Sequence, residues 1–150
     1  YRRALCIDFS DENGRHMSIN DFGKAILYYR KSEIYYELDQ AYCDRGYFYG
    51  EEKKYREAIL DFNSALKINP NNYMALGGKA ITKKVLGDYK GSIIIWNRLI
   101  KIFPEKSEYY FERGKAKFLL NDLIGACADF SKAGDLGEIE VFELLKTYCQ

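Results

Sequence analysis

The chain has 150 residues, of which 47% are hydrophobic and 30% charged, and its formal net charge is +1. That near-balance lacks the basic excess on which nucleic-acid binders rely. Four cysteines without a C-x-x-C pair, and His16 as the lone histidine, exclude the usual metal spacings; no run of about 18 apolar residues offers a membrane span.

Residues 1–20 admit two readings. Leu5 and Phe9 stand four apart, as on a helix, yet Leu5, Ile7 and Phe9 also alternate, as do Met17 and Ile19 after the turn-like Asp11–Gly14. Alternation around a turn is a hairpin signal. The helical rhythm downstream favours a degenerate helix, which Asp11 to Gly14 should break or bend. Asn20-Asp21 then reads as a helix cap, followed by Phe22, Ala25, Ile26 and Tyr29 on one face. A turn is expected near Lys31 to Glu33.

The next helix is expected from about Asp39 to Glu52, with Tyr42, Gly46 and Tyr49 facing inward and Glu51 to Lys54 making the turn. From Tyr55 to Pro70, Tyr55, Ala58, Ile59, Phe62, Ala65 and Leu66 recur at three- and four-residue steps. Such spacing lines one stripe of a helix, and Lys67 and Pro70 stand where a helix stops. The pattern returns 34 residues later as Tyr89, Ser92, Ile93, Trp96, Leu99, Ile100 and Pro104, and again as Leu123, Ala126, Cys127, Phe130 and Ala133.

Between these stripes Asn71-Asn72 caps a helix carrying Leu76, Ala80 and Leu86, which Gly87-Asp88 turns. Lys106-Ser107 caps one carrying Tyr110, Gly114 and Phe118, which Asn121-Asp122 turns. Connections this short make neighbouring helices antiparallel. The small residues Gly46, Ala80 and Gly114 stand 34 apart; they let helix backbones approach while Phe62, Trp96 or Phe130 fills the space beside them. Residues 138–149 form an amphipathic segment with Val141, Leu144, Leu145 and Tyr148 on one side, suited to capping an array. A fixed period of this size indicates stacked repeats without one central core.

No catalytic constellation emerges. His16 has no partnered nucleophile or base in view and is taken as a surface or turn residue. Gly77-Gly78 belongs to no phosphate-loop motif, and acidic residues such as Glu57 and Asp61 read as surface charge. Cys43 and Cys127 are expected to pack as small apolar groups. A chain this large and helical needs no disulfide staple, which fits the reducing cytosol. The start at Tyr1, not Met, leaves room for an export signal or further repeats before it.

The 34-residue pattern resembles the tetratricopeptide repeat. Tyr42, Gly46, Tyr49, Tyr55, Ala58, Phe62, Ala65 and Pro70 match that motif. A second copy keeps Leu76, Ala80, Tyr89, Trp96 and Pro104, with Lys83, Ser92 and Leu99 as departures. A third keeps Tyr110, Gly114, Ala126, Phe130 and Ala133, has Lys117 at an aromatic place and lacks the closing proline. The tail has a weaker likeness to Sel1-like repeats. The resemblance implies an all-α, right-handed superhelical array of antiparallel helix pairs in a single domain over 1–150. Its parts are an irregular first repeat at 1–38, repeats at 39–72, 73–106 and 107–140, and a capping helix at 138–149.

It further implies a scaffold without catalysis or cofactor, whose first helices line a concave groove for a peptide or helix of another protein. Tyr47, Gly50 and Glu51 should face that groove from one helix, and Ile81, Lys84 and Val85 from the next. Phe111, Lys115, Phe118 and Leu119 should do so from the last. Apolar anchors among lysines suit a partner segment with some acidic character. Certain family members clamp the terminal carboxylate of heat-shock chaperones; here Cys43, Tyr47, Gly77, Ile81, Glu108 and Phe111 occupy those places, so that clamp is missing. The alternative is a structural or self-assembly module of a longer protein, with a homo-oligomer as its product.

Overall fold

The computed structural model describes residues 12–32 and 35–149. Among them the regular elements are α-helices: α1 (Glu12–Lys31), α2 (Tyr35–Glu51), α3 (Tyr55–Ile68), α4 (Tyr73–Val85), α5 (Tyr89–Ile102), α6 (Ser107–Leu119), α7 (Leu123–Asp135) and α8 (Val141–Tyr148). The repeat shows in their starts, since α3, α5 and α7 begin at Tyr55, Tyr89 and Leu123, and α4, α6 and α8 at Tyr73, Ser107 and Val141. The turn before each of the first three carries a left-handed residue at the same register: Lys53 (φ 59°), Gly87 (φ 83°) and Asn121 (φ 62°). Only glycine takes that backbone without strain, so Lys53 carries the largest steric penalty of the three.

The chain divides into two compact units, residues 1–78 and 79–150. In the first, α1 packs on α2 and α2 on α3. Ile26 meets Leu38 and Ala41, and the Phe22 and Phe48 rings lie 5.3 Å apart. Cys43, Ala58, Phe62, Ala65 and Ala75 form a second core, flanked by Tyr42, Tyr49 and Leu66. Gly46 belongs to it because a Cβ there would stand 2.8 Å from Phe62 Cε1. In the second unit Phe111, Ala126, Phe130, Ala133 and Val141 are buried together, with Leu144 and Leu145 packed against them. Gly114 repeats the close approach, here to Phe130.

Several expectations need correction. Glu12–Gly14 neither breaks nor bends the chain but opens α1, which runs unbroken past Asn20-Asp21. No cap forms there; Asp21 instead pairs with Lys24 across 3.6 Å on the exposed face. Packing of the Phe22–Ile26 stripe on α2 outweighs the local preference of Asn and Asp for a helix end. Met17 and Ile19 lie in this helix, so the hairpin does not form there, while the pattern at Leu5, Ile7 and Phe9 lies outside the described residues. Asn72 does cap α4, its Oδ1 accepting from Ala75 N at 2.9 Å. Lys106 precedes α6 with no side-chain cap bond, and Ser107 is already helical.

Cys127 is not a packed thiol. It is disulfide-bonded to Cys149, with the two Cα atoms 5.6 Å apart. Docking of α8 beside α7 creates that proximity, which a separation of 22 residues does not advertise. Cys43 packs as expected: it is fully buried, and its thiol is pushed up to about 12, first by burial and then by Asp44 and Asp39.

Candidate interaction surface

The residues expected to face a partner fall on three helices. On α2, Tyr47 and Glu51 are one turn apart and both exposed. Tyr47 is also structural: its hydroxyl donates to Met74 O at 2.8 Å, and its ring meets Phe62 edge-on at 5.2 Å. One turn earlier Asp44 Oδ1 accepts from Gln40 Nε2 at 2.7 Å. Burial holds the Asp44 carboxyl above its ordinary range despite that bond. This face is therefore acidic and hydrogen-bonding.

On α4, Ile81, Lys84 and Val85 follow the three- and four-residue steps of one face. Val85 is 52% and Ile81 37% exposed, and such apolar side chains cost least when another surface covers them. Lys84 donates to Glu112 Oε2 on α6 at 2.5 Å. Lys115 pairs with the other oxygen of the same carboxylate, and its ammonium lies 4.3 Å from the Phe111 ring centre. Glu112 thus bridges two lysines that sequence reasoning left as separate cations. A carboxylate one position from Phe111 and three from Lys115 was the available signal.

The two phenylalanines of α6 are less available than Tyr47 or Val85. Phe111 is 8% exposed, with its ring 6.0 Å from Phe130. Phe118 is half-buried and meets Tyr148 of α8 edge-on at 4.9 Å. Lys115, Leu119 and the α4 apolar pair are the parts of this second-unit surface that reach solvent, while the Lys84 side chain, 14% exposed, is largely covered.

Sequence reasoning also missed the ion pairs that hold each unit's helix hairpin. Asp61, read as surface charge, is 5% exposed and receives Arg45 through two bonds, Nε at 2.6 Å and Nη2 at 2.8 Å. Arg113 and Asp129 repeat that fork at 2.8 and 2.5 Å. Bidentate geometry fixes the angle between helices as well as adding energy. The middle copy has Lys79 and Ile95 at these registers, and burial, then Lys83, lowers the Lys79 pKa. Recurrence of an Arg…Asp spacing in two copies was the legible trace. Lys83 and Lys117, where the repeat pattern expects an aromatic, take carboxylate partners instead, Asp88 and Asp129.

Among the described residues no group of three or more His, Cys, Asp or Glu is placed to hold a metal ion, and no helix is long and apolar enough to cross a membrane.

Helix pairs beginning at a constant interval, two of them with a phenylalanine ring closed against a glycine, define a helical-repeat protein. Residues 39–72 match the tetratricopeptide repeat model. A mouse protein, DnaJ homolog subfamily C member 7, is 24% identical over 97 residues, covering 65% of this chain and 20% of the relative. The match thus spans about a fifth of that relative's length. The first TPR of Spaghetti (RPAP3), solved bound to the HSP90 peptide SRMEEVD, aligns over 75% of this chain and 90% of its own, with TM-score 0.70 and 22% identity. MamA from Desulfovibrio magneticus RS-1 aligns over 85% and 81%, with TM-score 0.68 and 18% identity. The Sgt2 TPR domain from Aspergillus fumigatus aligns over 74% and 76%, with TM-score 0.67 and 23% identity. At these identities the likeness is one of fold, and it agrees with the all-α helix-pair array expected from the sequence.

Proposed function

We propose that the protein is a non-catalytic interaction scaffold that holds a peptide or helical segment of another protein against the first helices of its pairs. The repeats in this account are 39–72, 73–106 and 107–140, with 138–149 as the cap. Tyr47 and Glu51 contribute on α2, Ile81, Lys84 and Val85 on α4, and Phe111, Lys115 and Phe118 on α6. The observation that carries it is the α4 stripe, where two exposed branched apolar side chains flank a lysine already oriented by Glu112. That combination offers anchors for apolar side chains beside a fixed charge, which is how peptide grooves obtain affinity and register.

A related fold solved with an HSP90 peptide supports the type of ligand, a segment and not a whole domain. The acidic chaperone tail itself is not the ligand proposed, because Cys43 and Ile81 stand where a carboxylate clamp needs polar or cationic groups. The test is capture of partners from cell extract on the wild-type chain and on Ile81→Asp/Val85→Asp. Both side chains are exposed, so helicity by circular dichroism should be unchanged while capture is lost. Capture undiminished in the double variant would remove α4 from the binding surface. The self-assembly alternative draws on one observation, the 75% and 60% exposure of Ile139 and Phe142 around the start of α8. It predicts a size that rises with concentration in light scattering.

A further inference from the structure

We propose that Cys127 and Cys149 form a reversible thiol-oxidation site that fastens and releases helix α8. Helix α8 has 8 residues, too few to persist in isolation, so its order depends on what holds it down. Val141, Leu144 and Leu145 seat it on Phe111, Ala126, Phe130 and Ala133, and Tyr148 meets Phe118. The bridge is added at the far end. Cys149 is the residue that closes α8, and Cys127 lies in the first half of α7. At the near end the connection contains Gly137 at φ 96°, a backbone that fixes the entry of the chain without a side chain to pack. Helix α8 is thus entered through a fixed turn at one end and latched at the other.

Three features make the latch an exchangeable one. The Cα atoms are 5.6 Å apart, within the normal range for a bridge, so closing it asks for no backbone movement. Both cysteines are half-buried and not sealed in the core, as exchange with a small thiol or disulfide requires. Cys43, by contrast, is fully buried with its thiol pushed up to about 12, and stays out of the exchange.

The chemistry takes a small-molecule disulfide, such as oxidised glutathione, as oxidant. One cysteine loses its proton and its thiolate attacks the disulfide, forming a mixed disulfide and expelling one glutathione thiolate. The second cysteine, also deprotonated, attacks the protein sulfur of that intermediate and expels the other. Two protein thiols are oxidised, one glutathione disulfide is reduced to two thiols, and the two protons end on the leaving thiolates. Reduction by a dithiol runs the same steps backward, and α8 is then held by its apolar contacts alone. The latch does not touch the α4 part of the surface proposed above, whereas Phe111 and Phe118 on α6 pack against α8.

The 150-residue chain tests this. One sample is equilibrated with oxidised glutathione and another with excess dithiothreitol; both are alkylated and mapped by mass spectrometry, then digested briefly with trypsin. The oxidised sample should yield a linked peptide joining Cys127 to Cys149. Cleavage after the exposed Lys146 of α8 should be at least about 10-fold faster in the reduced sample. Closing a loop of this size restricts opening by up to about 100-fold, and brief proteolysis follows the open population. Cleavage after Lys101 in α5 serves as the reference and should not change, and Cys149→Ser should behave as the reduced chain under both conditions. Absence of the linked peptide, linkage of either cysteine to Cys6, equal cleavage after Lys146 in the two samples, or parallel acceleration at Lys101 would each overturn the proposal.

Discussion

Replacing Gly114 by alanine sets two opposing effects against each other. Alanine in a helix interior is favoured over glycine by about 1 kcal/mol. At Gly114, however, the new Cβ would stand 2.6 Å from Phe130 Cε1 and 2.8 Å from Cδ1, with Asp129 Cβ at 3.3 Å. The ring has nowhere to retreat, because Phe130 is 1% exposed and packed with Ala126, Ala133 and Val141. Overpacking of this kind costs about 1–3 kcal/mol, and two ring carbons inside contact distance place the site at the upper end. The net expectation is a loss of about 1–2 kcal/mol. Gly50→Ala supplies the opposite case: it lies in α2 with nothing within 4 Å of the added Cβ, so only the helix term remains and stability should rise by about 0.5–1 kcal/mol. Urea unfolding followed by circular dichroism measures both. A Gly114→Ala chain more stable than wild type would refute the assigned approach of α6 to the α7 ring.

Ser92→Ala should stabilise the chain by about 1 kcal/mol, since the buried Ser92 Oγ has no hydrogen-bond partner and alanine removes an unmet polar group; a loss of stability in the same urea assay would show that the hydroxyl is used. Asp61→Ala should cost about 2–4 kcal/mol by leaving the Arg45 guanidinium, itself 20% exposed, without its carboxylate; a change below about 1 kcal/mol would show that the fork is replaceable. Asp88 gives a pH signature: Lys83, then Gly91 N–H, holds its carboxyl below the usual carboxylate range. A depressed folded pKa means that this contribution is complete above about pH 4 and fades as pH falls through the folded value. The stability gap between wild type and Asp88→Asn should therefore narrow on acidification, and a gap that widens below about pH 4 would reverse the assignment.

The helices α3 to α7 were legible because each is punctuated chemically. Pro70 and Pro104 close two of them, Asp88 and Asp122 accept from Gly91 N and Gly125 N at the starts of α5 and α7, and left-handed residues recur between. Helix α1 was not legible at its start, since Glu12–Gly14 and Asn20-Asp21 carry breaker and cap preferences that packing on α2 overrules. The interaction surface was legible as positions on helix faces but not as charges. That Lys84 and Lys115 share Glu112 depends on how closely α4 and α6 stand, which periodicity does not encode. Asp61 and Asp129 look like any other helix-surface acid until the partner helix brings an arginine to them. The Cys127–Cys149 bridge was invisible for the same reason, being a consequence of where α8 lies down.

The claim that matters most is that a partner segment lies along α4. Site-specific photo-crosslinking addresses it directly, with a benzophenone side chain placed at Val85 on the proposed surface or at Ile94, which is 68% exposed on α5. The account predicts a protein adduct in cell extract from position 85 and none from position 94. An adduct from position 94 with none from 85 would contradict it.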